Sequence, residues 1–193
     1  MSGFKVDHKQ YQEENQTVEF SAEILQKIER IISRYPVGKQ KSALLPLMHI
    51  AQEETGGYLS VDVMNYIASL LKIQPIEVFE VASFYSQFYL EKKGKYVIEV
   101  CRTGPCSICG GEKISEYLQK KLQIGVEQTT SDGLFTLREV ECLGACGYAP
   151  AMQINTEFYE KLTEEKADKI IEELRNNSTS NKPEGSRWAD KFF

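Results

Sequence analysis

Residues 96–106 read YVIEVCRTGPC and residues 135–146 read FTLREVECLGAC, two short strand-forming runs that each lead into a pair of cysteines. Tyr96 to Val100 is compact and β-branched. Leu134 to Glu141 follows the turn signal Ser131-Asp132-Gly133, with Val126 to Thr130 ahead of it, which predicts a hairpin. Between the two runs Ile114, Tyr117, Leu118 and Leu122 mark one face of a helix. Strand, helix and strand in that order take a right-handed crossover and run parallel, which brings both carboxyl ends to one edge of the sheet. Cys101 and Cys106 are then expected beside Cys142 and Cys146, four thiols from distant positions at one site. A [2Fe–2S] cluster asks for such a set, two thiolates on each iron.

Working outward, a further strand is predicted at Ala151 to Asn155. Thr163 caps a last helix with Glu164 and Glu165 in its first turn and Ala167, Ile170, Ile171 and Leu174 on its apolar face. Upstream the period is helical. Phe20, Ile24, Ile28, Ile31 and Tyr35 share one face from Ser21 to Pro36, and Ala43, Leu44, Leu47, Met48 and Ala51 form a second helix stopped at Gly56-Gly57. Ser60 caps a third helix carrying Val63, Met64, Ile67 and Leu71, and Gln74-Pro75 opens a short fourth. The expected architecture is α+β: a flexible lead-in at 1–17, an N-terminal helical bundle at 18–91, an α/β domain at 92–176 and a flexible polar tail at 177–193. The tail ends in Trp188, Phe192 and Phe193, large aromatics that suit an anchor on a partner.

Bulk composition removes several classes of function. Lys and Arg total 23 against 28 Asp and Glu, a formal charge of −5, so nucleic acid is not an expected partner. No apolar run approaches the roughly 20 residues that cross a bilayer, and the start has neither a signal core nor an Arg-rich transit segment, so the chain is expected to stay in the compartment where it is made. The five cysteines are an odd number crowded between Cys101 and Cys146, a poor disulfide framework and a good metal or redox set for a reducing compartment. No G-x-G-x-x-G or P-loop string is present, so no nucleotide site is expected on this chain.

Spacing leaves alternatives open. Structural zinc also takes four cysteines, with pairs up to x4 apart. Cys106-Ser-Ile-Cys109 matches the C-x-x-C of a thiol exchanger, yet that reading leaves Cys142 and Cys146 idle. Cys101-x4-Cys106-x2-Cys109 reproduces plant-type ferredoxin spacing, three ligands in one loop. Strand-end placement favours two pairs without excluding that triple. Leu143, Ala145, Ile108 and Pro150 are read as shielding around the site, and Arg102 either as a cation that raises the potential slightly or as a solvated side chain near a loop. Phe79, Phe84, Tyr85, Phe88 and Tyr89 are read as packing, and His8 and His49 as structural or exposed.

The segments TTSDGLFTLREVECLGACGYAPAMQIN (129–155), YPVGKQKSALLPLMHIAQEETGGYLS (35–60) and VFEVASFYSQF (78–88) together resemble the thioredoxin-like [2Fe–2S] family of 24-kDa subunits in NADH:quinone oxidoreductase, respiratory complex I. The resemblance runs from about Phe20 to Arg175. It implies a thioredoxin-like [2Fe–2S] domain behind the helical bundle, with Cys101, Cys106, Cys142 and Cys146 as ligands and Cys109 as a bystander. It also implies a partner flavoprotein subunit carrying FMN and the NADH site, further iron–sulfur subunits, and a cytoplasmic place peripheral to the inner side of the membrane. On this reading the chain is a non-catalytic electron-carrying subunit. The equivalent small subunit of an NAD-linked hydrogenase or formate dehydrogenase shares these motifs, and a zinc-stabilised interaction module is the alternative of another class.

Overall fold

The computed structural model describes residues 18–177. The lead-in 1–17 and the aromatic tail end at Trp188, Phe192 and Phe193 lie outside the described residues. Among those described, 18–92 form one compact unit and 93–177 another.

The first unit holds α1 (Ala22–Ile32), α2 (Leu44–Glu54), α3 (Val61–Leu71) and α4 (Pro75–Phe84). Their starts follow the capping chemistry of the sequence. Ser21 Oγ accepts from the Ile24 amide and Ser60 Oγ from the Val63 amide, both at 3.3 Å, and the Glu77 carboxylate reaches back to the Gln74 amide at 2.8 Å. A 3-10 turn at Gln40–Ala43 leads into α2. Ile28, Ile31, Leu47, Met48, Ile50, Leu59 and Ile67 fill the core. The aromatic stretch divides: Phe88 is buried, whereas Phe84 at the end of α4 is 80% exposed, against the expectation that the whole stretch packs.

His49 is buried on α2 with its ring 4.8 Å from that of Phe88, and burial lowers its pKa from 6.5 to about 4. The imidazole is neutral in the folded unit, so below pH 6.5 the unfolded chain takes up a proton that the folded one refuses. Its contribution is therefore complete above pH 6.5 and falls away as pH drops toward 4. Between pH 7 and pH 5 the loss is roughly 2 kcal/mol, from the 1.36 kcal/mol per pKa unit of linkage. Denaturant titrations of wild type and His49→Leu at both pH values check this. The wild type is expected to lose that much more than the variant, and equal losses would refute the assignment.

The second unit builds a five-stranded sheet from β1 (Tyr96–Cys101), β2 (Gln128–Thr129), β3 (Phe135–Val140), β4 (Met152–Ile154) and β5 (Glu157–Tyr159), in the order β2-β3-β1-β4-β5. β1 and β3 are parallel and the other pairs antiparallel. The helices of this unit are the single turn α5 (Pro105–Ile108), then α6 (Gly111–Leu122) and α7 (Glu164–Asn177). Tyr96, Ile98 and Val100 alternate toward one face and meet Phe135, Leu137, Met152 and Ile154. Ile114, Leu118 and Leu122 of α6 and Ala167, Ile170 and Ile171 of α7 complete that core. Tyr117 of α6 donates to Asp168 of α7 at 2.6 Å, and Thr163 caps α7 by accepting from the Lys166 amide at 3.2 Å.

On the other face the register neighbours Glu99 and Arg138 form an ion pair at 2.8 Å, extended to Glu127 at 3.1 Å. β5 goes beyond the expected elements. Asn155, read as the end of a strand, adopts φ +53° and with Thr156 turns the chain back, so Ile154 pairs with Glu157. β2 shrinks to Gln128–Thr129 because Glu127 takes φ +62°. α7 continues through Asn177, read as the start of the tail.

Candidate metal centre

Parallel pairing puts Cys101 opposite Val140, so the chain leaves β1 and β3 side by side. Cys101 is the last residue of β1, and Cys142 follows β3 after Glu141. Cys106 sits in α5, where the Cys106 amide donates to Thr103 at 3.2 Å. Cys146 opens a 3-10 turn, Cys146–Tyr148. The two loops are stitched together by backbone hydrogen bonds: Cys101 N donates to Ala151 O and Arg102 N to Val140 O, each at 3.1 Å. Cys101 and Cys106 are buried with Ala151, and Leu143, Ala145 and Ala149 pack on them. Cys142 and Cys146 are exposed.

Electrostatics shows which sulfurs meet. Burial pushes the Cys101 thiol up, but backbone hydrogen bonds at Thr103 and Leu143 and the side chain of Cys106 outweigh it, and the thiol ends below its ordinary value. Cys106 is raised, first by burial and then by the hydrogen bond and charge of Cys101 and the charge of Cys146. Cys146 is raised by its hydrogen bond to Cys142 and the charge there, with burial and the charge of Cys101 adding to it. Cys106 is thus the thiol that acts most on Cys101, and Cys142 the one that acts most on Cys146, while the charge of Cys101 also reaches Cys146. A metal bound through thiolates supplies the positive charge that offsets the mutual repulsion of thiolates gathered at one site.

Backbone supports the same use. Gly144 at φ +78° directs its N–H to Cys142 Sγ at 3.3 Å, the kind of amide donor that steadies a thiolate ligand. Gly111 at the start of α6 lies so close under the first loop that a Cβ there would be 2.8 Å from Cys101 O and 2.9 Å from Cys106 O. Ser115 of α6 donates at 2.7 Å to Glu139, just ahead of the second loop. Among the described residues no three His, Cys, Asp or Glu close on a single point for one metal ion.

The remaining expectations divide. Cys109 is exposed at the end of α5 and is not among the groups acting on Cys101, Cys106 or Cys146. Leu143, Ala145 and Pro150 are half-buried or buried, as expected of shielding. Ile108 is not, being 88% exposed: it occupies the outward side of a one-turn helix whose inward side is taken by Cys106. Arg102 is exposed, as a solvated side chain would be, and is paired with Glu141. Sequence reasoning missed that partner, although the two residues flank Cys101 and Cys142 directly.

Fold and site together define a class, a mixed sheet with a parallel central pair whose strand ends carry paired cysteine loops. A family model described as thioredoxin-like [2Fe-2S] ferredoxin matches residues 28–175. The chain belongs to that family. It is 46% identical over 158 residues to the E subunit of the NADH-quinone oxidoreductase of Rickettsia felis, covering 82% of this chain and 95% of that protein. It is 42% identical over 164 residues to the Dictyostelium discoideum protein named NADH dehydrogenase [ubiquinone] flavoprotein 2, mitochondrial, covering 85% of this chain and 66% of that one. Among solved structures, an NAD+-reducing [NiFe]-hydrogenase in the H2-reduced state shares the fold, with a TM-score of 0.61 at 22% identity, over 69% of this chain and 22% of that longer one.

Proposed function

We propose that this chain holds one [2Fe–2S] cluster on Cys101, Cys106, Cys142 and Cys146 and acts as a one-electron relay in an NADH dehydrogenase module of the respiratory complex I type. The observation that carries the reading is the delivery of both cysteine loops to the carboxyl ends of parallel β1 and β3, with Cys101 and Cys106 buried in one cluster there. Two pairs suit two irons with two thiolates each, and membership of a [2Fe-2S] family, rather than spacing, favours iron over structural zinc. When bound, such a cluster takes up and gives back single electrons. The chain's own part is to hold the thiolates, to keep Cys101 and Cys106 away from water behind Leu143, Ala145 and Ala149, and to direct the Gly144 amide at a ligand sulfur.

The electron partner is a flavoprotein subunit with FMN and the NADH site, beside further iron–sulfur subunits, and the present chain carries no catalytic residue. Relatives named as E subunits of NADH-quinone oxidoreductase, at up to 46% identity, favour this assembly over a hydrogenase, whose likeness rests on fold at 22% identity. The same assembly implies a peripheral place on the inner side of the membrane; no helix among the described residues is long and apolar enough to cross one. The purified protein is expected to be red-brown, to bleach with dithionite and then to give an S = ½ EPR signal. A colourless, iron-free and folded protein after anaerobic iron and sulfide reconstitution would overturn the reading.

A further inference from the structure

We propose that Arg102 and Glu141 clamp the roots of the two cysteine loops, and that their opposite charges set the reduction potential of the site in opposite senses. This rests on the [2Fe–2S] reading above. Arg102 directly follows Cys101 and Glu141 directly precedes Cys142, so the pair bridges the one point where both loops leave the sheet. The Arg102 amide makes the final bond of the β1–β3 ladder, to Val140 O. Beyond it the guanidinium takes over, with Nη2 at 2.9 Å and Nε at 3.2 Å from the same Glu141 oxygen.

The two side chains are 54% and 70% exposed, so the pair contributes little to folding. Its weight lies in its place. Four thiolates and two sulfides exceed the charge of two irons, and each added electron makes the site more negative. A cation one residue from a ligand favours the reduced form and an anion in the matching place disfavours it. Paired, the two nearly cancel. Removing either charge leaves the other uncompensated beside the site.

Glu141→Gln keeps an oxygen for Arg102 and removes only the charge, whereas Arg102→Gln leaves Glu141 uncompensated. In redox titrations of the cluster-loaded full chain followed by visible absorbance and EPR, Glu141→Gln is expected to raise the ratio of reduced to oxidised protein at a fixed ambient potential by roughly threefold or more. Arg102→Gln is expected to lower it by a similar factor, and the double variant to return near wild type. Arg102→Lys keeps the charge without the fork, so its potential stays near wild type while the cluster is lost faster to an iron chelator. Unchanged potentials, or shifts of both single variants in the same direction, overturn the proposal. Loss of the cluster from both single variants overturns the claim that the two charges set the potential, since the pair would then act as a clamp alone. A wild-type chain that takes up no cluster fails earlier and separately, because that result removes the iron–sulfur reading itself.

Discussion

Cys106→Ala is expected to strip the reconstituted chain of at least nine-tenths of its iron and visible absorbance, while Cys109→Ala keeps both. Loss of residues that merely orient a ligand already weakens metal binding about 10- to 100-fold, and loss of a ligand costs no less. The contrast between the two variants is the informative part. Both cysteines lie in one short segment, and ferredoxin-type spacing through Cys101, Cys106 and Cys109 assigns both to the metal. The fold separates them. Cys106 faces inward against Cys101 and Ala151, whereas Cys109 ends the same helical turn in solvent. Cys142→Ala and Cys146→Ala are expected to behave like Cys106→Ala, since each pair supplies two ligands. Iron and sulfide assays on the four variants, beside near-native far-UV circular dichroism, check this. A Cys109→Ala protein without cluster, next to a Cys106→Ala protein that retains it, would sink the two-pair arrangement.

Much of this site is written in local chemistry. The β-branched run ending at Cys101, the hairpin signal before Phe135 and the helical stripe between them are enough for a parallel pair, and parallel strands must deliver both cysteine loops to one edge. Ser21, Ser60 and Thr163 start helices for the same local reason, a side-chain oxygen placed for an unpaired amide. What escaped depends on pairing and facing that residue type alone does not signal. β5 is three residues long with an exposed aromatic at Phe158 and carries no hydrophobic alternation, so only its pairing with β4 makes it a strand. Ile108 is apolar and near the cysteines, yet a single turn of helix has one inward side, and Cys106 occupies it. The Glu99–Arg138 and Arg102–Glu141 pairs need the β1–β3 register, which no spacing within either strand supplies.

Gly111→Ala is expected to destabilise the second unit by about 2 kcal/mol and to shorten the lifetime of the cluster in the presence of chelator. Two effects oppose each other here. Alanine is the better helix former by up to about 1 kcal/mol, less at the first position of a helix, and Gly111 has no left-handed φ that would bar a side chain. Against that, the new methyl would lie 2.8 Å from Cys101 O, 2.9 Å from Cys106 O and 3.2 Å from Cys106 C. All three are backbone atoms, so no side-chain rotation relieves the clash, and forced overpacking costs about 1–3 kcal/mol. The clash wins because the atoms that must yield belong to the residues holding two of the proposed ligands. Moving them spoils the pairing of Cys101 with Cys106 as well as the fit of α6 on the sheet. Gly147→Ala is the matched control: it lies next to Cys146, but a Cβ there meets nothing within 4 Å. Denaturant midpoints and chelator-release rates of the two variants are therefore expected to part, with Gly147→Ala near wild type. If Gly111→Ala matches that control in both measurements, α6 does not press on the first cysteine loop as described.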